Sequence, residues 1–115
     1  MKKYLVLYRS PTSNMEQMAS AKPAQVKAIM AAWDMWMRKN GKAILDIGAP
    51  LSAPTRLGKK VSKGAVVAAG GDVGGYSILQ AKSLAAATKA LDKHPHFMTP
   101  GGSIEVSELQ PIPGM

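Results

Sequence analysis

Along this chain the spacing of apolar residues changes from every second position to every third or fourth and back again, and it does so twice. That alternation restricts the fold more than any other feature. Tyr4 to Tyr8 is rich in β-formers on both parities, Tyr4, Val6 and Tyr8 pointing one way and Leu5 and Leu7 the other, so both faces want cover. From Pro23 to Asn40 the period becomes helical, with Val26, Ile29, Met30, Trp33, Trp36 and Met37 on one broad stripe. Pro23 suits the first helical position, Gly41 suits a left-handed residue just past the end, and Arg38 and Lys39 complement the helix dipole.

Ala43 to Ile47 reads as a second strand, interrupted by Asp46 and closed by Gly48-Ala49-Pro50. The stretch Leu51 to Lys63, with Pro54, Gly58 and Lys59-Lys60, reads as a loop or a weak, exposed hairpin arm, and Ala65 to Ala69 as a short strand returning from it. A glycine cluster, Gly70 to Gly75, leads into a third main strand, Tyr76 to Ala81. Ser83 is a natural N-cap for an alanine-rich helix over Leu84 to Lys93. Pro95 and the Pro100-Gly101-Gly102 turn end that region, and Ser103 to Leu109 is the fourth strand. Met15 to Ala21 carries no assignable period.

The order β, α, β, excursion, β, α, β predicts an α+β fold, a ferredoxin-like βαββαβ arrangement with an antiparallel four-stranded sheet. Both helices would cover one sheet face. The other is expected to carry Tyr4, Val6, Tyr8, Ile44 and Leu79, too apolar for water. Two such sheets packed face to face would form a homodimer, a dimeric α+β barrel.

At 115 residues the chain is one domain, 1–115, with a modest core: 46% of it is hydrophobic, but 17 residues are alanine and only 6 are aromatic. It has no cysteine, which excludes a disulfide framework, a thiolate nucleophile and a cysteine metal site. The apolar run behind Lys2-Lys3 is five residues, too short for a secretory leader, and no stretch is long enough to span a membrane, so a cytoplasmic protein is expected. The net charge of +8 is dispersed. Only Lys59, Lys60 and Lys63 cluster, with no aromatic residue between them, so we expect solubility and some preference for anionic ligands, not nucleic-acid binding.

Several segments taken in order resemble the YciI-like (YCII-related, DGPF-containing) proteins. They are Lys3-Tyr4-Leu5-Val6-Leu7-Tyr8, Trp33 and Trp36, Gly48-Ala49-Pro50-Leu51, Gly74-Gly75-Tyr76-Ser77-Ile78-Leu79-Gln80-Ala81, His94-Pro95-His96-Phe97 and Ser103-Ile104-Glu105-Val106. The resemblance implies a barrel dimer with a cavity at or near its interface, a suspected active site built from a histidine and an aspartate, and lyase- or isomerase-like chemistry on small ring compounds. This chain departs from the pattern. Lys22 to Asn40 lacks the histidine that some members carry in the first helix, and Asp72-Val73-Gly74-Gly75 stands where a DGPF motif is nearest. The usual His/Asp pair therefore does not transfer.

His94 and His96 are the only histidines, and imidazole is the natural acid or base at neutral pH. Of the two, His96 is the better catalytic candidate because it lies beyond Pro95 and closer to the last strand; the bland alternative is that both cap a helix or bond to backbone. Asp46 interrupts an apolar strand, so its carboxylate must face water or a polar pocket. Glu105 alternates with Ile104 and Val106 and points away from the helices if they point toward them. That reasoning groups Glu105, Ser77, Tyr8 and Asp46 in the barrel, as a polar pocket or as an interface ion-pair network. Asp34 suits a solvated helix face beside Lys27 and Arg38, and the tryptophans and Met30 and Met37 suit core. Gly70 to Gly75 fails the phosphate-loop spacing and precedes a strand, so a hinge or bulge is expected.

Together these point to a small-molecule-binding homodimer with a pocket lined by Tyr8, Asp46, Ser77, His94, His96 and Glu105. No metal or cofactor is called for. A cofactor-free lyase or isomerase using His96 and a carboxylate is the leading expectation. A non-catalytic ligand-binding or accessory module of the same fold is the alternative.

Overall fold

The computed structural model describes residues 1–57, 61–62 and 71–114. In chain order the elements are β1 (Lys2–Ser10), α1 (Asn14–Ser20), α2 (Pro23–Lys39), β2 (Ile44–Asp46), β3 (Arg56–Leu57), β4 (Val61–Ser62), β5 (Asp72–Ala81), α3 (Leu84–Ala90), a 3-10 turn (Pro95–Met98) and β6 (Ser103–Glu108). The main sheet has four strands in the order β2-β5-β1-β6, every neighbouring pair antiparallel, which is the ferredoxin-like arrangement. β3 and β4 form a separate two-stranded arm in the region read as a hairpin. No helix among the described residues is long and apolar enough to cross a membrane.

Local chemistry explains the element ends. Ser13 and Ser83 each accept a hydrogen bond from the backbone three residues on, at Glu16 and Ala86, and so start α1 and α3. The Met15 to Ala21 stretch without a period is thus a helix set by its cap. α2 begins with Pro23 and with the Lys22 N–H donating to Gln25 Oε1 at 3.0 Å. Its end corrects the expectation for Gly41, whose φ is not positive: Asn40 closes the helix instead, its backbone N–H and its side-chain amide both donating to Trp36 O. α3 stops at Ala90, short of Lys93, because the Leu91 N–H bonds to Thr88 O and Lys93 turns left-handed at φ 55°.

The glycine segment differs from its expected place as a lead-in. β5 already begins at Asp72, and the register slips where Tyr8 faces Gly75 while Arg9 faces Val73, so Gly74 is the bulged residue. The Ala65 to Ala69 strand and the Lys59, Lys60 and Lys63 cluster lie outside the described residues.

A larger correction concerns the two sheet faces. Tyr4, Val6, Tyr8 and Leu79 are buried under the helices, with Ile44 packed beside them, and do not form the open face. Cross-strand partners share a face, and the pairs Tyr4 with Leu79 and Val6 with Ser77 and Val106 put this whole parity against Trp36, Ala87 and Leu91. Trp36 ties α2 to α3 by donating its indole N–H to Ala90 O at 2.9 Å. Met30, expected on the core stripe, is 63% exposed. The open face instead carries Leu5, Leu7, Tyr76 and Ile78, each half-buried, through the cross-strand pairs Leu5 with Ile78 and Leu7 with Tyr76.

Candidate functional site

Pro95 restrains the segment between the two histidines, and the result is a tight turn with both imidazoles turned to the end of β1. His94 precedes the 3-10 turn, and its Nδ1 accepts the His96 backbone N–H at 2.9 Å. An accepting Nδ1 requires the proton on Nε2 in the neutral ring. That Nε2 is fully buried and has no hydrogen-bond partner among the described residues. Three aromatic rings surround the imidazole: Tyr8 stacks on it at 4.9 Å, and Trp33 and Trp36 meet it edge-on at 4.6 Å and 4.4 Å. Burial, with His96 adding a smaller repulsion, pulls the His94 pKa down to about 3, so the ring is neutral at physiological pH.

His96 is half-buried. Its Nε2 lies 2.7 Å from Arg9 O, and since a carbonyl only accepts, Nε2 carries the proton and Nδ1 keeps the lone pair. The ring also sits 5.3 Å from that of Tyr8.

Tyr8 crosses the sheet beside Gly75, where there is no side chain to displace it. Its hydroxyl donates to Ser77 Oγ at 2.8 Å, and Ser77 in turn donates to Ile47 O at 2.7 Å. Burial pushes the phenol up to about 12 against the opposing effect of the Ser77 bond, so Tyr8 is neutral and a poor base.

The structure therefore brings Tyr8, Ser77, His94 and His96 together under the helices and leaves Asp46 and Glu105 apart from them. Asp46 sits at the sheet edge, its Oδ1 accepting the Gly48 N–H at 2.8 Å, as a turn-forming carboxylate does. Glu105 lies on the open face beside Leu7 and accepts from Arg9 Nε at 2.8 Å. The expected grouping of Tyr8 and Ser77 with Asp46 and Glu105 fails because Tyr8 occupies the opposite parity of β1. Arg9 is not singled out by the sequence: strand alternation puts it on the same face as Leu7, but that this face is the open one is decided by the helices.

Among the described residues no three His, Asp or Glu side chains converge to hold a metal. A groove of about 790 Å³ between α3 and β6 is lined by Leu84, Leu91, Phe97, Ile104 and Val106 and includes none of the six candidate residues.

No protein-family model matches this sequence, and no curated protein is similar to it. Solved structures do match in fold. One is 5-chloro-2-hydroxyhydroquinone dehydrochlorinase (TftG) from Burkholderia phenoliruptrix AC1100 in complex with 2,5-dihydroxybenzoquinone, with a TM-score of 0.53 over 94% of this chain and 93% of that chain, at 17% identity. At that identity the likeness is one of fold, an α+β domain with an antiparallel sheet covered by helices on one side.

Proposed function

We propose that this chain is a YciI-like domain spanning residues 1–115 that takes up a small ring compound on its open sheet face, in a homodimer whose two open faces pack together as an α+β barrel. The observation that carries this reading is the open face itself: Leu5, Leu7, Tyr76 and Ile78 form an apolar floor next to the Arg9–Glu105 ion pair. An apolar floor with a few fixed polar groups suits a small ligand better than it suits water. A structural neighbour that is named as a dehydrochlorinase and holds a dihydroxybenzoquinone supports the same class of ligand.

Cofactor-free lyase or isomerase chemistry is the catalytic form of this proposal, with His96 as the proton-moving group. Because the His96 ring lies on the helix side beside Tyr8, this form requires the ligand to reach past Arg9 to the end of β1, where His96 meets the Arg9 backbone. The hydrogen bond to Arg9 O leaves Nδ1 as its basic nitrogen, and neither His94 nor Tyr8 is suited to accept a proton at neutral pH. The second reading, a non-catalytic ligand-binding module, is favoured by a different observation: Tyr8 and Ser77 spend their hydroxyl protons inside the fold, and His94 spends Nδ1 on a turn.

Titrating 2,5-dihydroxybenzoquinone and related hydroquinones into wild type and His96→Ala, followed by calorimetry and by product analysis, tests both. The catalytic form expects turnover in wild type that His96→Ala loses while binding persists. Binding without turnover in either protein leaves the module, and identical turnover in both removes His96 from the chemistry.

A further inference from the structure

Arg9 is held in an unusual way for a surface cation. Its side chain is only 19% exposed, on the open face of the sheet, where strand alternation sets it in line with Leu5 and Leu7. Nε donates to Glu105 Oε1 at 2.8 Å and Nη1 to Gly71 O at 3.0 Å. A guanidinium has five N–H groups in a rigid planar fork, so three of them, including both on Nη2, have no protein partner among the described residues. A cation four-fifths covered normally has its donors engaged. Glu105 meets it through one oxygen and is itself half exposed, so it braces one edge of the guanidinium without closing the fork. Gly71 O, just ahead of β5, fixes the plane from a second side. Next to Arg9 along β1, Leu7 pairs with Tyr76 and supplies an apolar and aromatic floor.

We infer that Arg9 is the anion-recognition residue of the open face, with Glu105 and the Gly71 carbonyl as its positioning partners, and that the ligands it selects are small ring compounds bearing a carboxylate or an ionised ring oxygen. This rests on the reading that a small molecule is taken up on this face, and it adds the charge class of that molecule. Two parallel N–H donors suit a planar carboxylate or a pair of adjacent oxyanions. The ring would then lie on Leu7 and Tyr76. Lysine, a point charge without the fork, would serve less well.

The test compares 4-hydroxybenzoate with its neutral counterpart 4-hydroxybenzamide, titrated by calorimetry into wild type, Arg9→Gln, Arg9→Lys and Glu105→Gln, with thermal melts confirming that each variant is folded. Wild type is expected to favour the anion by about 10-fold or more, the scale of a charge-assisted pair. Arg9→Gln is expected to abolish that preference while leaving the neutral compound's affinity within about 2-fold, and Arg9→Lys to restore only part of it. Glu105→Gln removes a competing negative charge and is expected to hold or raise anion affinity, which keeps the inference testable should Arg9→Gln fail to fold. An anion preference that survives in Arg9→Gln, or equal affinities in wild type, overturns the inference and leaves small-molecule binding intact. Arg9→Gln that keeps the preference and turns a dimer into a monomer assigns the fork to a subunit contact and also overturns it. Failure of both compounds to bind wild type overturns the small-molecule reading and this inference with it.

Discussion

Tyr8 lies against His94 as a near-parallel pair, ring centroids 4.9 Å apart and planes 26° from one another, with Trp33 edge-on to both. The stack makes the imidazole a core residue. It also gives acid a specific point of attack, because a protonated His94 would place an unscreened charge among aromatic rings. His94 titrates in the unfolded chain near ~6.5 and in the folded chain at about 3. The unfolded state therefore binds the extra proton first as pH falls. The stabilisation is fully present above ~6.5, is lost progressively as pH drops toward 3, and declines at up to ~1.4 kcal/mol per pH unit in between. Urea denaturation of wild type and His94→Phe between neutral pH and pH 5, where most carboxylates are still ionised, isolates this contribution. His94→Phe is expected to show the shallower pH dependence. Equal slopes in the two proteins would show that the imidazole does not titrate against burial.

The hydroxyl relay from Tyr8 through Ser77 to Ile47 O has a different signature. Ser77→Ala leaves a buried phenol without its acceptor and a carbonyl without its donor, at a cost of about 1–3 kcal/mol. Adding Tyr8→Phe removes the orphaned hydroxyl. The double variant is therefore expected to be less destabilised than the sum of the singles, a coupling that a double-mutant cycle in urea measures directly. Strict additivity would mean that the two hydroxyls do not depend on each other.

Much of this fold is legible in the sequence, and the places where reading fails have physical reasons. The helix that starts at Pro23 is carried by its 3.6-residue period, and the strands around it by runs of β-forming residues. Ser83 announces its helix because a cap is a local interaction. The sidedness of β1 is not local. Tyr4, Val6 and Tyr8 on one parity and Leu5 and Leu7 on the other are both apolar, and the choice between them is made by Trp36, Ala87 and Leu91, which are distant in sequence. Glu105 alternates with Ile104 and Val106, which do pack toward the core, so its own side is legible, whereas Tyr8 lies on the opposite face from it. The histidine cluster is half legible: Pro95 signals restraint, but the burial of His94 depends on α2 arriving above it.

Glycine positions separate turn chemistry from mere small size. Gly48 has φ +78°, and a Cβ there would stand 1.7 Å from Tyr76 O, so both the dihedral and the space require glycine. Gly48→Ala is expected to lose several kcal/mol or to prevent folding. Gly41, which the sequence marked as the left-handed helix end, has no positive φ, and its Cβ would find its nearest atom, Met37 O, at 3.4 Å. Gly41→Ala is therefore expected to be neutral or to stabilise by up to ~1 kcal/mol through the unfolded state. Thermal melts of the two variants should differ widely, and a Gly41→Ala protein as unstable as Gly48→Ala would contradict a helix end closed by Asn40.

The open sheet face allows the subunit arrangement to be tested separately from ligand binding. Leu7 is half-buried between Tyr76 on β5 and Glu105 on β6, and none of the buried core residues shares its side of the sheet. A glutamate at this position keeps the strand and leaves the helix-side core untouched. In a face-to-face dimer, however, it would bury two uncompensated carboxylates close to the two Glu105 side chains, at a cost of several kcal/mol. Analytical ultracentrifugation is expected to show wild type at twice the 12.1 kDa chain mass and Leu7→Glu at that mass, with circular dichroism unchanged. A charge placed on the helix surface, such as Met35→Glu at a residue 71% exposed, should leave the dimer as it is. Wild type sedimenting as a monomer, or Leu7→Glu remaining dimeric, would show that this face does not join two subunits, and the apolar floor would then belong to the ligand alone.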